Sequence, residues 1–176
     1  MKNLIAIAIV LLAVTTTSFA QTASSTANAT ASATVVGINT LTKNADLNFG
    51  SILSTFTAGN VVMDATSTAA ISSYGVSTGN GVAAKFTITG TDVNPKLTWP
   101  ATVSLVGSGA ALSGAAMTLT LACKEEGIST ALVIGAPITL TAGGSAVVYL
   151  GGSLAVNANQ KAGPYASAAF PVTVNY

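Results

Sequence analysis

The residues able to do chemistry are few. Cys123 is the one thiol in the chain, and Lys124-Glu125-Glu126-Gly127 directly after it is the densest cluster of charge. A reactive thiolate needs a neighbouring base or cation, and Lys124 is adjacent. Yet Cys123 continues the alternating series Met117, Leu119, Leu121, and neighbours on a strand point to opposite faces. The pattern therefore assigns Cys123 to the core as a small hydrophobe and turns Lys124 away from it. Glu125 and Glu126 would suit an acid/base pair or a cation site. Two carboxylates in a row before a Gly read instead as a solvated turn or a guard on a sheet edge. Asp46, Asp64 and Asp92 are too far apart in sequence to form a calcium loop. Serines abound, but no His and no Ser-x-x-Lys run is present to activate one.

The composition excludes more. All six basic residues are Lys, so the planar fork of Arg is missing. Six Lys against five acids make no basic stripe for nucleic acid and no polybasic patch for lipid. A single Cys allows neither an intrachain disulfide nor a thiolate zinc cluster. The Gly-rich stretches are not followed by Gly-Lys-Ser/Thr, so they read as hairpin turns rather than phosphate cradles. Nothing calls for a metal or a cofactor, and an enzyme is not expected. Among the aromatics, Trp99 before Pro100 at a strand end and Tyr74 are the candidates for a ligand rim. Tyr165 follows Gly163-Pro164 and precedes the final strand, which suits a tyrosine corner returning its hydroxyl to the backbone.

The elements that must hold these residues follow from the pattern. Lys2 precedes an unbroken apolar run from Leu4 to Val14, and Ser18-Phe19-Ala20 closes it with small residues. That is the layout of a secretory signal peptide. Eleven apolar residues are too few to span a membrane, which takes about 20. Residues 1–20 are therefore expected to be removed, with no transmembrane segment in the mature chain, and the product is expected in the periplasm, on the cell surface or outside the cell. Cleavage removes Lys2 and leaves five Lys against five acids, a formal net charge of zero. Residues 21–34 contain only Gln, Thr, Ala, Ser and Asn, too little apolar surface to order themselves, and read as a flexible leader. Their Ala/polar alternation would suit an added strand of small payload.

Residues 35–176 read as one domain with period-two alternation. Leu47 and Phe49; Ala84, Phe86 and Ile88; Leu97 and Trp99; Met117 to Cys123; Ile138 and Leu140; Leu154 and Val156; and Phe170, Val172, Val174 and Tyr176 each alternate with polar or small residues. Gly79-Asn80-Gly81, Gly107-Ser108-Gly109, Gly114, Gly143-Gly144 and Gly151-Gly152 read as the turns between them. No helical period runs through the mature chain. Short strands and Gly-rich turns predict an all-β fold, an immunoglobulin-like antiparallel sandwich of seven to ten strands. Its apolar fraction is inflated by Ala, so the core should be shallow and gain from partners in an assembly.

Three stretches carry a resemblance: Thr42-Lys43-Asn44-Ala45-Asp46-Leu47-Asn48-Phe49-Gly50; Gly151 to Val156 with Asn159-Gln160-Lys161-Ala162-Gly163-Pro164-Tyr165; and the ending Phe170-Pro171-Val172-Thr173-Val174-Asn175-Tyr176. Together they resemble the bacterial secreted family called domain of unknown function 4402, and that layout is similar to pilin-like sandwich domains of the spore coat protein U type. The resemblance implies an exported structural protein, with self-association or other envelope subunits as partners, and structural roles for Gly163, Tyr165, Phe170, Val172, Val174 and Tyr176. Pilins of the chaperone–usher kind complete one another by donating an N-terminal strand. Here Val36 and Ile38 either donate or begin the domain's own first strand. The alternative function is a monomeric module binding a glycan or surface ligand around Trp99 and Tyr74.

Overall fold

The computed structural model describes residues 25–35, 37–66, 70–72, 81–91, 94–141 and 144–175. The expected signal peptide, the leader's first four residues, Val36, Tyr74, Gly79-Asn80, Asp92, Gly143 and Tyr176 lie outside them. The chain divides between Thr34 and Val35 into two units. Residues 25–34, on the first side of that division, carry no helix or strand.

The second unit is all-β. Its strands are β1 (Asn39–Ala45), β2 (Gly59–Met63), β3 (Ala70–Ser72), β4 (Ala84–Gly90), β5 (Lys96–Thr98), β6 (Thr102–Gly107), β7 (Met117–Glu125), β8 (Ser145–Val156), β9 (Tyr165–Ala166) and β10 (Thr173–Asn175). The one helical element among the described residues is a single 3-10 turn, Gly109–Ala111. All strand pairings are antiparallel. One eight-stranded sheet runs β1-β4-β8-β7-β6-β9, with β2 branching from β8 and β3 pairing with β2, and β5 and β10 form a separate ribbon. Leu41 on β1 and Tyr165 on β9, at opposite edges of the sheet, pack against one core cluster, so the sheet curls around it. Leu97, Trp99 and Val174 bring the ribbon's apolar side chains into that same cluster. Eight of the ten strands thus share one sheet, a less even division than the immunoglobulin-like expectation.

That imbalance has its cause in β8. Ala146, Val148, Leu150, Leu154 and Val156 are all buried on its core side. One edge of β8 pairs with β7 from Thr118↔Ala155 to Glu125↔Val148. The other edge takes two partners in series: β4 along Ser145 to Leu150, then β2 along Gly152 to Val156. The Gly151-Gly152 pair, expected as a turn, lies in the middle of this strand where the two partners meet end to end. A Cβ on Gly151 would stand 2.3 Å from the Met63 carbonyl oxygen. One on Gly152, whose φ is +153°, would stand 2.2 Å from that of Thr120. The pair is glycine because the backbones approach too closely for any side chain.

The alternating runs behave as the period predicts in β4, β7 and β8. Phe86 and Ile88 are buried on β4, and Met117, Leu119, Leu121 and Cys123 on β7. Two runs bury their apolar residues without becoming strands. Phe49 flanks an isolated bridge, Asn48 to Val82, and Ile138 follows one from Lys96 to Pro137. Gly144 donates its N–H to the Thr141 carbonyl at 2.8 Å and closes the turn into β8. β1, β2 and β6 were not singled out in the sequence. β1 carries one large apolar residue, Leu41, and β2 and β6 carry three each.

Replacing Gly151 by Ala should therefore cost about 2 kcal/mol, since a methyl forced against backbone cannot be relieved by a rotamer change. Gly135, at φ +78° with open space around its Cβ position, is the control. Its Ala variant should cost only the left-handed strain of about 1 kcal/mol. Chemical denaturation of the two variants checks both; equal losses would refute the close-approach account.

Candidate functional site

The residues from Asn157 to Tyr165 form a knot at one end of the domain. The Gln160 side chain is 8% exposed. Its Nε2 donates to the Ala115 carbonyl at 2.6 Å, and its Oε1 accepts from Asn157 Nδ2 at 3.0 Å. Asn159, at φ +53°, donates its N–H to Thr55 at 2.7 Å. The Tyr165 hydroxyl donates to the Lys161 carbonyl, four residues back, at 2.8 Å. It sits over Gly114, where a Cβ would lie 2.1 Å from that oxygen, while Gly163 and Gly107 leave room for the buried Ala111. Lys161 Nζ donates to Ser113. The sequence pointed to Tyr165 and Gly163. It did not point to Gln160, because a lone Gln in a loop carries no signal that its amide will be buried between a backbone carbonyl and the Asn157 side chain.

Beside this knot lies a cleft of about 810 Å³, bounded by residues 46–54 on one side and 160–167 on the other. Leu105, Met117, Leu119 and Leu154 floor it, with Phe49 and Phe170 at its sides. Its rim carries the hydroxyls and amide of Asn48, Ser51 and Ser54, and the buried Gln160 lines it from the knot. The two ionisable chains of opposite sign on it, Asp46 and Lys161, are engaged elsewhere, Asp46 with Lys43 at 2.6 Å and Lys161 with Ser113. An apolar floor and a neutral rim bind apolar side chains and pair backbone; they hold no acid/base pair at a common point.

An open sheet edge borders the cleft at Leu105. β6 pairs with β7 along Thr102 to Leu105, while on its outer side β9 covers only Val106 and Gly107. Among the described residues no strand pairs with the outer edge of Thr102–Leu105. That stretch has neither charge nor Pro. Another sheet edge, β1, at the far end of the main strand order, carries Lys43 and a register irregularity between Lys43 and Ala45. Both features discourage strand addition, and β6 has neither.

The remaining candidates fall in other places. Trp99, taken as a possible rim, is 6% exposed and belongs to the core cluster. The period-two step from Leu97 turns it inward along with that residue. Phe170, Val172 and Val174 are half-buried against the core, and Val174 pairs with Leu97. Cys123 is 1% exposed, and burial pushes its thiol up to about 12, which keeps it protonated and inert at neutral pH. Lys124 on the opposite face reaches Asp64 at 2.9 Å, and this ion pair ties the end of β2 to β7 across the Gly152 backbone. It holds the Asp64 carboxyl below the usual range, and burial raises that of Glu125. Glu126 accepts from the Tyr149 hydroxyl at 2.9 Å, and Lys85 lies 5.5 Å over the Tyr149 ring. Lys85, Asp64, Lys124 and Glu126 are thus each engaged within the fold, while Glu125 falls on the Cys123 parity of β7. Among the described residues no group of three or more His, Cys, Asp or Glu is placed to hold a metal.

A family model described as "Domain of unknown function (DUF4402)" matches residues 39–176, and the chain belongs to that family. No curated protein and no solved structure matches.

Two outcomes test the site's construction. Tyr165→Phe should lower stability by about 1 kcal/mol, the worth of one hydrogen bond. Gly114→Ala should cost more in the wild type than in the Tyr165→Phe background, where the obstructing oxygen is gone; a double-mutant denaturation cycle reads the difference. Asp64 has a folded pKa below its unfolded value, so its contribution is present above the ordinary aspartate range near 4 and is lost as pH falls through the folded value. Glu125 acts in the opposite sense. Melting temperatures of wild type and Asp64→Asn should therefore differ at pH 7 and converge as pH is lowered; a gap that is constant with pH would refute the ion-pair contribution.

Proposed function

We propose that this member of the family is an exported, non-catalytic structural subunit of the cell envelope or surface, joined to copies of itself by β-strand addition into a fibre. The observation that carries the reading is the unguarded outer edge of β6 lying beside an apolar-floored cleft. An open edge presents unpaired N–H and C=O groups, and an added strand satisfies them while placing alternate side chains into the cleft.

The chain has a segment of the required pattern outside the domain. From Ala27 to Val35, Ala and Val alternate strictly with Asn, Thr and Ser, and every residue is exposed, Val35 at 94%. Laid antiparallel to β6 in the line of β9, that segment puts Ala and Val toward the cleft and its polar residues toward water. Ile38 belongs to the recipient domain's own ladder, since its carbonyl accepts from Thr91 N–H at 3.1 Å. The donated stretch therefore ends before it. The signal-like N-terminus and the zero net charge of residues 21–176 support an exported protein that packs against copies of itself. The glycan-module alternative loses one of its two aromatics, since Trp99 is buried in the core.

Native material from producing cells, run on a gel unboiled and boiled, tests the reading. A ladder of multiples that collapses to monomer on boiling is expected. Ala31→Pro lies outside the domain and removes a backbone donor, so it should abolish the ladder and leave the domain's melting temperature unchanged. A single monomer band for the wild type in both lanes would overturn the proposal.

A further inference from the structure

The exposed segment Ser25–Thr34 has a second property that strand addition does not use. Five of its ten residues carry hydroxyls: Ser25, Thr26, Thr30, Ser32 and Thr34. The rest are Ala except Asn28, so no neighbouring side chain is large enough to shield an oxygen. All ten residues are exposed and none lies in a helix or strand.

Hydroxyls inside the domain are held differently. Thr40 pairs with Thr89 across β1 and β4 at 2.7 Å, Thr98 with Thr173 across the ribbon, and Thr141 donates to the Ser145 carbonyl at 2.7 Å. These threonines sit on ladders or in tight turns, and an enzyme could not draw their backbone into its own cleft without breaking pairings. A transferase acting on a hydroxyl must grip the acceptor as an extended, unpaired strand. Ser25–Thr34 is the stretch of described chain that combines dense hydroxyls, no secondary structure and small flanking residues.

We propose that the Ser and Thr hydroxyls of residues 25–34 are acceptors for O-linked glycosylation, a reading that rests on the protein being exported. In the step, the hydroxyl oxygen attacks the anomeric carbon of a sugar activated as a nucleotide- or lipid-linked diphosphate. The carbon–oxygen glycosidic bond forms, the bond from that carbon to the phosphate oxygen breaks, the diphosphate leaves with the electron pair, and the hydroxyl proton passes to the transferase's base. The chemistry fits a chain that needs hydration. Residues 21–176 have no net charge and few charged side chains, and sugars supply water-binding groups without adding charge. The alternation also keeps the two uses of the segment apart. Thr30, Ser32 and Thr34 share one face of an extended strand, while Ala29, Ala31, Ala33 and Val35 share the other, so a sugar on the first face leaves the second free to pack.

Mass spectrometry of the full chain purified from its own cells decides the matter. No Lys or Arg lies between Lys2 and Lys43, so trypsin releases the whole segment on one peptide whose N-terminus also reports processing. The expected result is a peptide beginning at Gln21, with a series of masses spaced by single sugar residues, located by fragmentation to Ser or Thr of 25–34. The series should vanish when all five are replaced by Ala, a change that leaves the domain untouched. A peptide beginning at Gln21 at its bare polypeptide mass overturns the glycosylation and leaves the export reading standing. Sugar confined to the Asn28 amide, in Asn28-Ala29-Thr30, overturns the hydroxyl assignment. A protein still beginning at Met1 and carrying no sugar overturns both.

Discussion

Two strands meet end to end along one edge of β8, and the backbones there come closer than any side chain permits. The junction at Gly151 and Gly152 lets one strand serve β4, β2 and β7 together. With a Cβ at either position, Met63 or Thr120 would be pushed away, and one of the three pairings would have to loosen. The size of the main sheet, its curl and the packing of the small ribbon against it follow from this shared strand. The Lys124–Asp64 ion pair spans the same junction on its outer side, so charge and backbone pairing close one point from two directions.

The second constraint is scarcity of large side chains. Much of the chain's apolar content is Ala, and cohesion has to come from backbone hydrogen bonds and close approach rather than from bulk. The knot around Tyr165 illustrates this. A buried Ala, three glycines, one phenol and one amide fill a corner that another fold would fill with Leu and Phe. Such a corner is specific but gives little hydrophobic stabilisation to spare. That is the physical reasoning behind the proposed strand addition at β6, where among the described residues no strand covers the edge beside the cleft.

Period-two alternation made β4, β7 and β8 legible, because a strand with one face in the core must place apolar residues at every second position. It also sent Cys123 inward and Lys124 outward, since parity alone separates them. The same parity places Trp99 with Leu97 in the core, where the sequence had left it as a possible rim. The motif around Gly163 and Tyr165 was legible as a corner because Gly-Pro before a strand constrains the chain locally. Gln160 was not, since the carbonyl its amide donates to, that of Ala115, is 45 residues away in sequence.

The sequence by itself determined the all-β class, the family, the shortage of groups for catalysis and the alternating, hydroxyl-rich leader, because each depends only on residue type and local period. Tertiary structure alone decided that Gly151-Gly152 is a mid-strand close approach and not a turn and that, among the described residues, eight strands share one sheet and β6 is left open beside a cleft. Those depend on which strand lies next to which, and strand order is fixed by contacts between residues far apart in the chain, to which no local pattern is sensitive.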